Sequence, residues 1–212
     1  MTGRAGPPYT VVWDLDGTLV DSCTAIPGVF IRVVAALGGP ALSPPDIEAA
    51  YPVGTPDRML AHLTGAPVTA GGVEAYYDEL ARARLPAYPG VAAVLREQRH
   101  TGTVAVCTGA SRRAAAITID RAGLGTLVEV RVCAEDAPRA KPAPDGLFAV
   151  ASRLRVEPAG LAYVGDSARD LAAARAAGAL AVAAAWGHQY DAAAVRDVTA
   201  ADPRDVLALL RG

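Results

Sequence analysis

Thr10-Val11-Val12-Trp13-Asp14-Leu15-Asp16-Gly17-Thr18-Leu19-Val20-Asp21 is the stretch that decides the fold of this 212-residue chain. A short apolar, β-branched run ends in a carboxylate and a glycine turn, the pattern of a buried strand delivering polar groups to a loop. The next segment is helical: residues 24–37 carry apolar positions at helical spacing and stop at Gly38-Gly39. Pro44-Pro45, Pro52, Pro56, Pro67 and Gly71-Gly72 then divide the chain into short helices up to about Leu85, and Pro86 and Pro89-Gly90 mark a boundary. Beyond it the pattern alternates. Helices are predicted over 91–99, 112–122, 146–154, 168–177 and 203–210, and strands over 103–107, 128–132, 161–164 and 180–183. Strands that alternate with helices call for a parallel sheet covered on both faces, an α/β doubly wound architecture. The sequence is thus divided into a core of residues 1–21 and 88–212 and a helical insertion over 22–87.

Composition removes several classes of function. Charged residues are interspersed and the net charge is -2, so the basic stripe of a nucleic-acid binder is missing. No stretch is long and apolar enough for a membrane span, and residues 1–8 form a polar opening without a signal-type apolar run. Cys23, Cys107 and Cys133 are odd in number and widely spaced, which predicts buried free thiols in a reducing, cytoplasmic setting. The chain has no Asn, and Lys141 is its only lysine beside nineteen arginines. A composition that uses arginine for every generic cation points to Lys141 as a place where a planar guanidinium does not fit.

Four short segments carry chemistry, each at the carboxyl end of a predicted strand, where open α/β sheets bind ligands. In an extended chain, residues two apart face the same way, so Asp14 and Asp16 share one pocket. Crowded carboxylates require a proton or a cation between them, and a hard ion such as Mg²⁺ meets that need. Gly17 and Thr18 permit a tight turn with amides free for an anion. Gly165-Asp166-Ser167-Ala168-Arg169-Asp170 places two more carboxylates at a strand end and on the first turn of the next helix, where acidic residues also serve as ordinary caps. Cys107-Thr108-Gly109-Ala110-Ser111 opens a helix with hydroxyls and free amides, a pattern suited to an anion. Arg139-Ala140-Lys141-Pro142-Ala143-Pro144-Asp145 precedes another helix; prolines there are unremarkable, but the sole lysine sits among them.

In this order the four segments resemble the motifs of the haloacid dehalogenase-like hydrolase superfamily, over nearly the whole chain. Tyr88-Pro89-Gly90-Val91, the Lys141-Pro142 segment and Trp186-Gly187 resemble its phosphoglycolate phosphatase-like branch, and the helical insertion resembles that branch's small cap. The resemblance implies a phosphatase acting on a small phosphorylated metabolite such as phosphoglycolate or a sugar phosphate, working as a monomer or homodimer without nucleic acid or membrane. It implies Asp14 as the nucleophile, and Asp16 as general acid and base. It implies Mg²⁺ held by Asp14, Asp16 (through its backbone carbonyl) and Asp166, with Asp170 behind. It implies phosphate bound by Thr108, Gly109 and Lys141. Gly109 stands where many relatives carry Asn, which leaves the amide but not the side chain for phosphate. Arg58, at a loop-to-helix turn, is the cap residue assigned to a substrate anion, among Tyr51, His62, Tyr76 and Arg82. Arg112 and Arg113 are read as pocket-mouth or solvent residues, and His188 as structural or exposed.

Competing readings differ in inventory. A metal-free haloalkanoate dehalogenase lacks the second carboxylate of Asp14-Leu15-Asp16. A phosphonoacetaldehyde hydrolase needs a cap lysine, and residues 22–87 contain none. A sugar phosphomutase shares Asp14 and Asp16, and a non-catalytic binding protein on the same fold would have no need of the filled catalytic positions.

Overall fold

The computed structural model describes residues 9–210; the opening segment 1–8 lies outside them. Its sheet has six parallel strands in the order β3-β2-β1-β4-β5-β6. They are β1 (Thr10–Trp13), β2 (Ala105–Cys107), β3 (Val130–Val132), β4 (Leu161–Gly165), β5 (Leu180–Ala184) and β6 (Val198–Ala200). Alternation along each strand divides the core into two layers. Val11, Trp13, Val106, Val164 and Val182 face one layer; Val12, Ala105, Tyr163, Ala181 and Ala183 face the other. Helices α5 (Val91–Thr101), α6 (Arg112–Arg121) and α9 (Val206–Leu209) supply residues to the first, and α7 (Asp145–Leu154) and α8 (Ala168–Ala177) to the second. The doubly wound expectation is borne out.

Trp13 is fully buried in β1, and its indole N–H would be costly there without an acceptor. It donates to Gln98 Oε1 at 2.7 Å, while Gln98 Nε2 donates to the carbonyls of Val11 and Thr103 at 2.8 and 2.9 Å. One glutamine of α5 thus ties the central strand to the start of its neighbour.

Between β1 and α5 lie α1 (Ala25–Ala36), α2 (Pro44–Ala50), α3 (Pro56–Thr64) and α4 (Ala70–Arg82). They bury Phe30, Val33, Val34, Ile47, Leu60, Tyr76 and Leu80 among themselves. The chain leaves and returns side by side: the Asp21 amide donates to the Pro86 carbonyl at 2.9 Å and the Tyr88 amide to the Leu19 carbonyl at 3.0 Å. Two features depart from expectation. β6 extends the sheet by an edge strand, and Val198-Thr199-Ala200, a short segment after a charged loop, does not announce itself as an apolar run. The last helix opens as a 3-10 turn at Pro203–Asp205, because Asp202 accepts from the Arg204 amide at 2.9 Å and holds Pro203 at the first position. Among the thiols, Cys107 and Cys133 are buried as expected, but Cys23 is only half-buried; all three are free.

Candidate active site

Strand order reverses between β1 and β4, and there the loops diverge to leave a crevice. Trp13 pairs with Val164, so Asp14 and Asp166 emerge from adjacent strand ends. The Asp14 amide donates to the Val164 carbonyl at 2.8 Å, which fixes the carboxylate at the carboxyl end of the sheet. Asp14, Asp166 and Asp170 are all buried, and one ligand oxygen from each lies within 4.8 Å of the others. Lys141 reaches this cluster from the loop before α7. Its Nζ donates to Asp14 Oδ1 at 2.7 Å, to Asp170 Oδ1 at 2.5 Å and to Tyr163 Oη at 3.1 Å. All three N–H bonds of the ammonium are committed.

Asp170 divides its two oxygens between structure and site. Oδ2 accepts from the Ser167 amide at 3.0 Å and from the Ser167 hydroxyl, closing a capping box on α8; Oδ1 faces Lys141. Capping and pocket roles, alternatives in the sequence, coexist in one side chain. Gly17 adopts φ +83°, a left-handed conformation that costs an L side chain about 1–2 kcal/mol, and a Cβ there would collide with the Asp166 carboxylate. Gly187 is likewise pressed against Asp166 and the Gly17 carbonyl. Only hydrogen fits at these two positions, so the acidic cluster can close up.

Three buried carboxylates against one ammonium leave surplus negative charge. Burial, then Asp170 and Asp166, raise the Asp14 carboxyl to about 8 even though Lys141 opposes the shift. Burial raises Asp166 as well, against the Gln189 amide that donates to its Oδ2 at 2.9 Å. Asp170 goes the other way: burial would raise it, but the Lys141 charge and hydrogen bonds from Lys141 and Ser167 hold it below its ordinary value. Burial alone would lower Lys141, and the facing carboxylates of Asp14 and Asp170 more than reverse that. A hard divalent cation fits this donor set, since it would balance the surplus with oxygen ligands.

Asp16 sits at the same cavity. Its Oδ1 is buried without a hydrogen-bond partner, alone in this respect among the described residues. Burial raises its carboxyl to about 6, with the Ser22 hydroxyl holding it back. An orphaned carboxyl oxygen of raised pKa is suited to carry a proton to or from a bound group.

The remaining expected residues fall into distinct places. Thr108, at the end of β2, is buried, and its oxygen accepts from the Ala110 amide at 3.1 Å, which leaves the hydroxyl hydrogen free to donate. Gly109 is exposed beside Lys141. Arg58 lines the cavity from α3, exposed and without an ion pair among the described residues. His188 is exposed, as expected, with its Nδ1 3.8 Å from Asp166 Oδ2. His62 is exposed, Arg82 pairs with Glu79 at 3.5 Å, Arg112 with Asp136 at 2.8 Å and Arg113 with Glu74 at 2.5 Å. These three arginines are committed to surface ion pairs. Sequence reasoning missed Tyr163 altogether. It lies in the middle of an apolar strand, and only its place on the face of β4 toward Lys141 reveals it.

Such a site, a carboxylate cluster around one ammonium at the switch point of a doubly wound sheet, is suited to anionic esters; the Gly17 and Thr18 amides, expected to be free for an anion, instead donate to the Val20 and Leu15 carbonyls at 2.9 and 3.4 Å and close the turn. The family model for haloacid dehalogenase-like hydrolases matches residues 9–178, and the chain belongs to that family, in its phosphoglycolate phosphatase-like branch. It is an enzyme of the phosphatase class. Phosphoglycolate phosphatase 1 of Pseudomonas aeruginosa is 31% identical over an alignment covering 86% of this chain and 71% of that protein. The plasmid-encoded phosphoglycolate phosphatase of Cupriavidus necator is 33% identical, covering 81% and 78%. Among solved structures, CbbY from Rhodobacter sphaeroides in complex with phosphate shares the fold with a TM-score of 0.78 at 19% identity, covering 92% of this chain and 95% of that one.

Proposed function

We propose that this protein hydrolyses a small phosphate monoester in the cytoplasm through an aspartyl-phosphate on Asp14, with Mg²⁺ held by Asp14, the Asp16 carbonyl and Asp166. The observation that carries the reading is the Lys141 ammonium, bonded at once to Asp14 and Asp170 beside a third buried carboxylate. Bound there, Mg²⁺ would neutralise the surplus charge and let a phosphate dianion approach a carboxylate. A carboxylate oxygen of Asp14 attacks phosphorus, the bond from phosphorus to the leaving oxygen breaks, and Asp16 gives that oxygen a proton. Asp16, now ionised, takes a proton from water as the water oxygen attacks the acyl phosphate. Inorganic phosphate leaves and both carboxyl groups return to their starting state. Thr108 and the Gly109 amide hold phosphate oxygens, and Lys141 stabilises charge between Asp14 and the phosphoryl group. Phosphate monoesters hydrolyse so slowly unaided that accelerations of about 10²¹-fold are reached, more than any one of these groups supplies.

We assign residues 22–87 as a cap over this site; the side-by-side segments 19–21 and 86–88, joined by an antiparallel bridge at Val20 and Ala87, and a cavity lined from both parts, support the division. Excess EDTA is expected to abolish hydrolysis of an aryl phosphate, and Mg²⁺ to restore it. Undiminished turnover in the chelator would overturn the metal assignment. Asp16→Ala is expected to slow alkyl phosphates at least about tenfold more than aryl phosphates, because a good leaving group needs little proton transfer. Equal losses, measured as kcat, would remove Asp16 from the acid role.

A further inference from the structure

The cavity above Asp14 has a volume of about 430 Å³, within the usual range for a small-molecule site. The lobe beyond Asp16 is formed by the helical insertion, with Ile26, Phe30 and Leu80 as apolar walls. Two phenols enter it: Tyr76 from α4 and Tyr51 from the 3-10 turn after α2. Tyr76 is only 3% exposed, its ring 4.6 Å from that of Phe30, yet its hydroxyl, open to the cavity where Asp16 Oδ1 is sealed off, makes no hydrogen bond to any described residue. The Tyr51 hydroxyl is equally unpartnered among the described residues. The next residue on α4 behaves differently: Tyr77 spends its hydroxyl on Ser111 Oγ at 3.1 Å and stacks under Arg113. Buried hydroxyls are normally satisfied, and one left open onto a cavity is available to a ligand. Burial first, and the nearby Asp16 charge second, raise both phenols above their ordinary value, so both stay neutral donors.

We infer that Tyr51 and Tyr76 form a leaving-group subsite for an uncharged alcohol bearing hydroxyl or carbonyl oxygens, as in the body of a sugar phosphate, in preference to a leaving group with its own carboxylate. The inference rests on the phosphatase reading, which places the leaving oxygen at Asp16. A carboxylate one carbon away, as in glycolate, is then held beside Asp16, where the Tyr51 and Tyr76 phenols offer it no charge. A hydroxyl or carbonyl oxygen at the same distance meets two donors and no like charge. Arg58 and Arg169 also line the cavity and offer a charged leaving group partners of its own, so the experiment must separate the two cases.

The probes are a hexose 6-phosphate, 2-phosphoglycolate and phenyl phosphate. Wild-type kcat/KM is expected to be at least tenfold higher for the hexose phosphate than for 2-phosphoglycolate; the reverse order overturns the inference. Tyr76→Phe keeps the ring against Phe30 and removes only the oxygen. It is expected to lower the ratio of kcat/KM for hexose phosphate over phenyl phosphate by about three- to tenfold, the loss of one neutral hydrogen bond, and Tyr51→Phe to do the same. Equal losses on both substrates would mean that the phenols only support the fold. Calorimetric Kd values for the hexose phosphate, taken in an Asp14→Asn background with and without Tyr76→Phe, read the subsite independently of turnover. A three- to tenfold weakening is expected there, and an unchanged Kd overturns the inference. Absence of phenyl phosphate hydrolysis in the wild type strikes the phosphatase reading instead.

Discussion

Asp14→Asn is expected to reduce turnover below detection and to eliminate the phosphoenzyme, while leaving the protein folded. The amide has the shape of the carboxylate but no nucleophilic oxygen anion, so the bond to phosphorus cannot form. Folding is spared because burial first, and the facing Asp170 and Asp166 charges after it, already raise the Asp14 carboxyl to about 8 against the pull of Lys141. A neutral side chain there relieves repulsion from Asp166 and Asp170, although it weakens the 2.7 Å contact with Lys141. The melting temperature should therefore hold or rise as activity disappears. The variant can be checked by acid-quench trapping of labelled phosphoenzyme, by steady-state rates and by mass spectrometry against deamidation. Normal activity in material verified as Asn would exclude Asp14 as the nucleophile.

Lys141→Arg should preserve charge and fold but lower kcat by about 10²–10³, the range for loss of one preorganised transition-state donor. The three acceptors around Lys141, namely Asp14 Oδ1, Asp170 Oδ1 and Tyr163 Oη, surround a single point at 2.5–3.1 Å. An ammonium satisfies that arrangement with three divergent N–H bonds. A guanidinium is planar, spreads its donors over several ångströms and cannot gather them on one centre. Tyr163 closes the remaining side: its hydroxyl donates to the Cys107 carbonyl at 2.7 Å and so offers its oxygen to Lys141. Lys141→Ala is expected to be at least as damaging, since it leaves Asp14 and Asp170 buried without their counter-charge. Steady-state kcat alongside the melting temperature decides the matter. An unchanged kcat for the arginine variant would reduce Lys141 to a structural cation.

Local pattern was enough to reveal most of the architecture. Val11, Val12 and Trp13 before Asp14, and the apolar run before Asp166, read as strands because burial on both faces demands continuous hydrophobicity. The prolines and glycines between 38 and 90 marked the breaks between short helices, because proline fixes φ and removes a donor while glycine leaves the backbone too free to favour a helix. The edge strand β6 was not legible: a three-residue segment at a sheet edge needs little apolar character, and only pairing with β5 defines it. The acidic and lysine segments were legible as chemistry since their residue types are costly to bury without purpose.

Sequence alone therefore determined the fold class, the carboxylates at strand ends and the singular standing of Lys141. Each follows from short-range chemistry: strand periodicity, turn residues and the inventory of cations. Tertiary structure decided what lies opposite what. The crossover order brought the ends of β1 and β4 together, set Asp170 with one oxygen on its helix and one on Lys141, and turned Tyr163 from a core residue into a ligand of the ammonium. It also left the hydroxyls of Tyr51 and Tyr76 open onto the cavity while Tyr77, adjacent to Tyr76 in sequence, is satisfied. Proximity between residues more than a hundred positions apart is set by packing of the whole chain, and no local pattern encodes it.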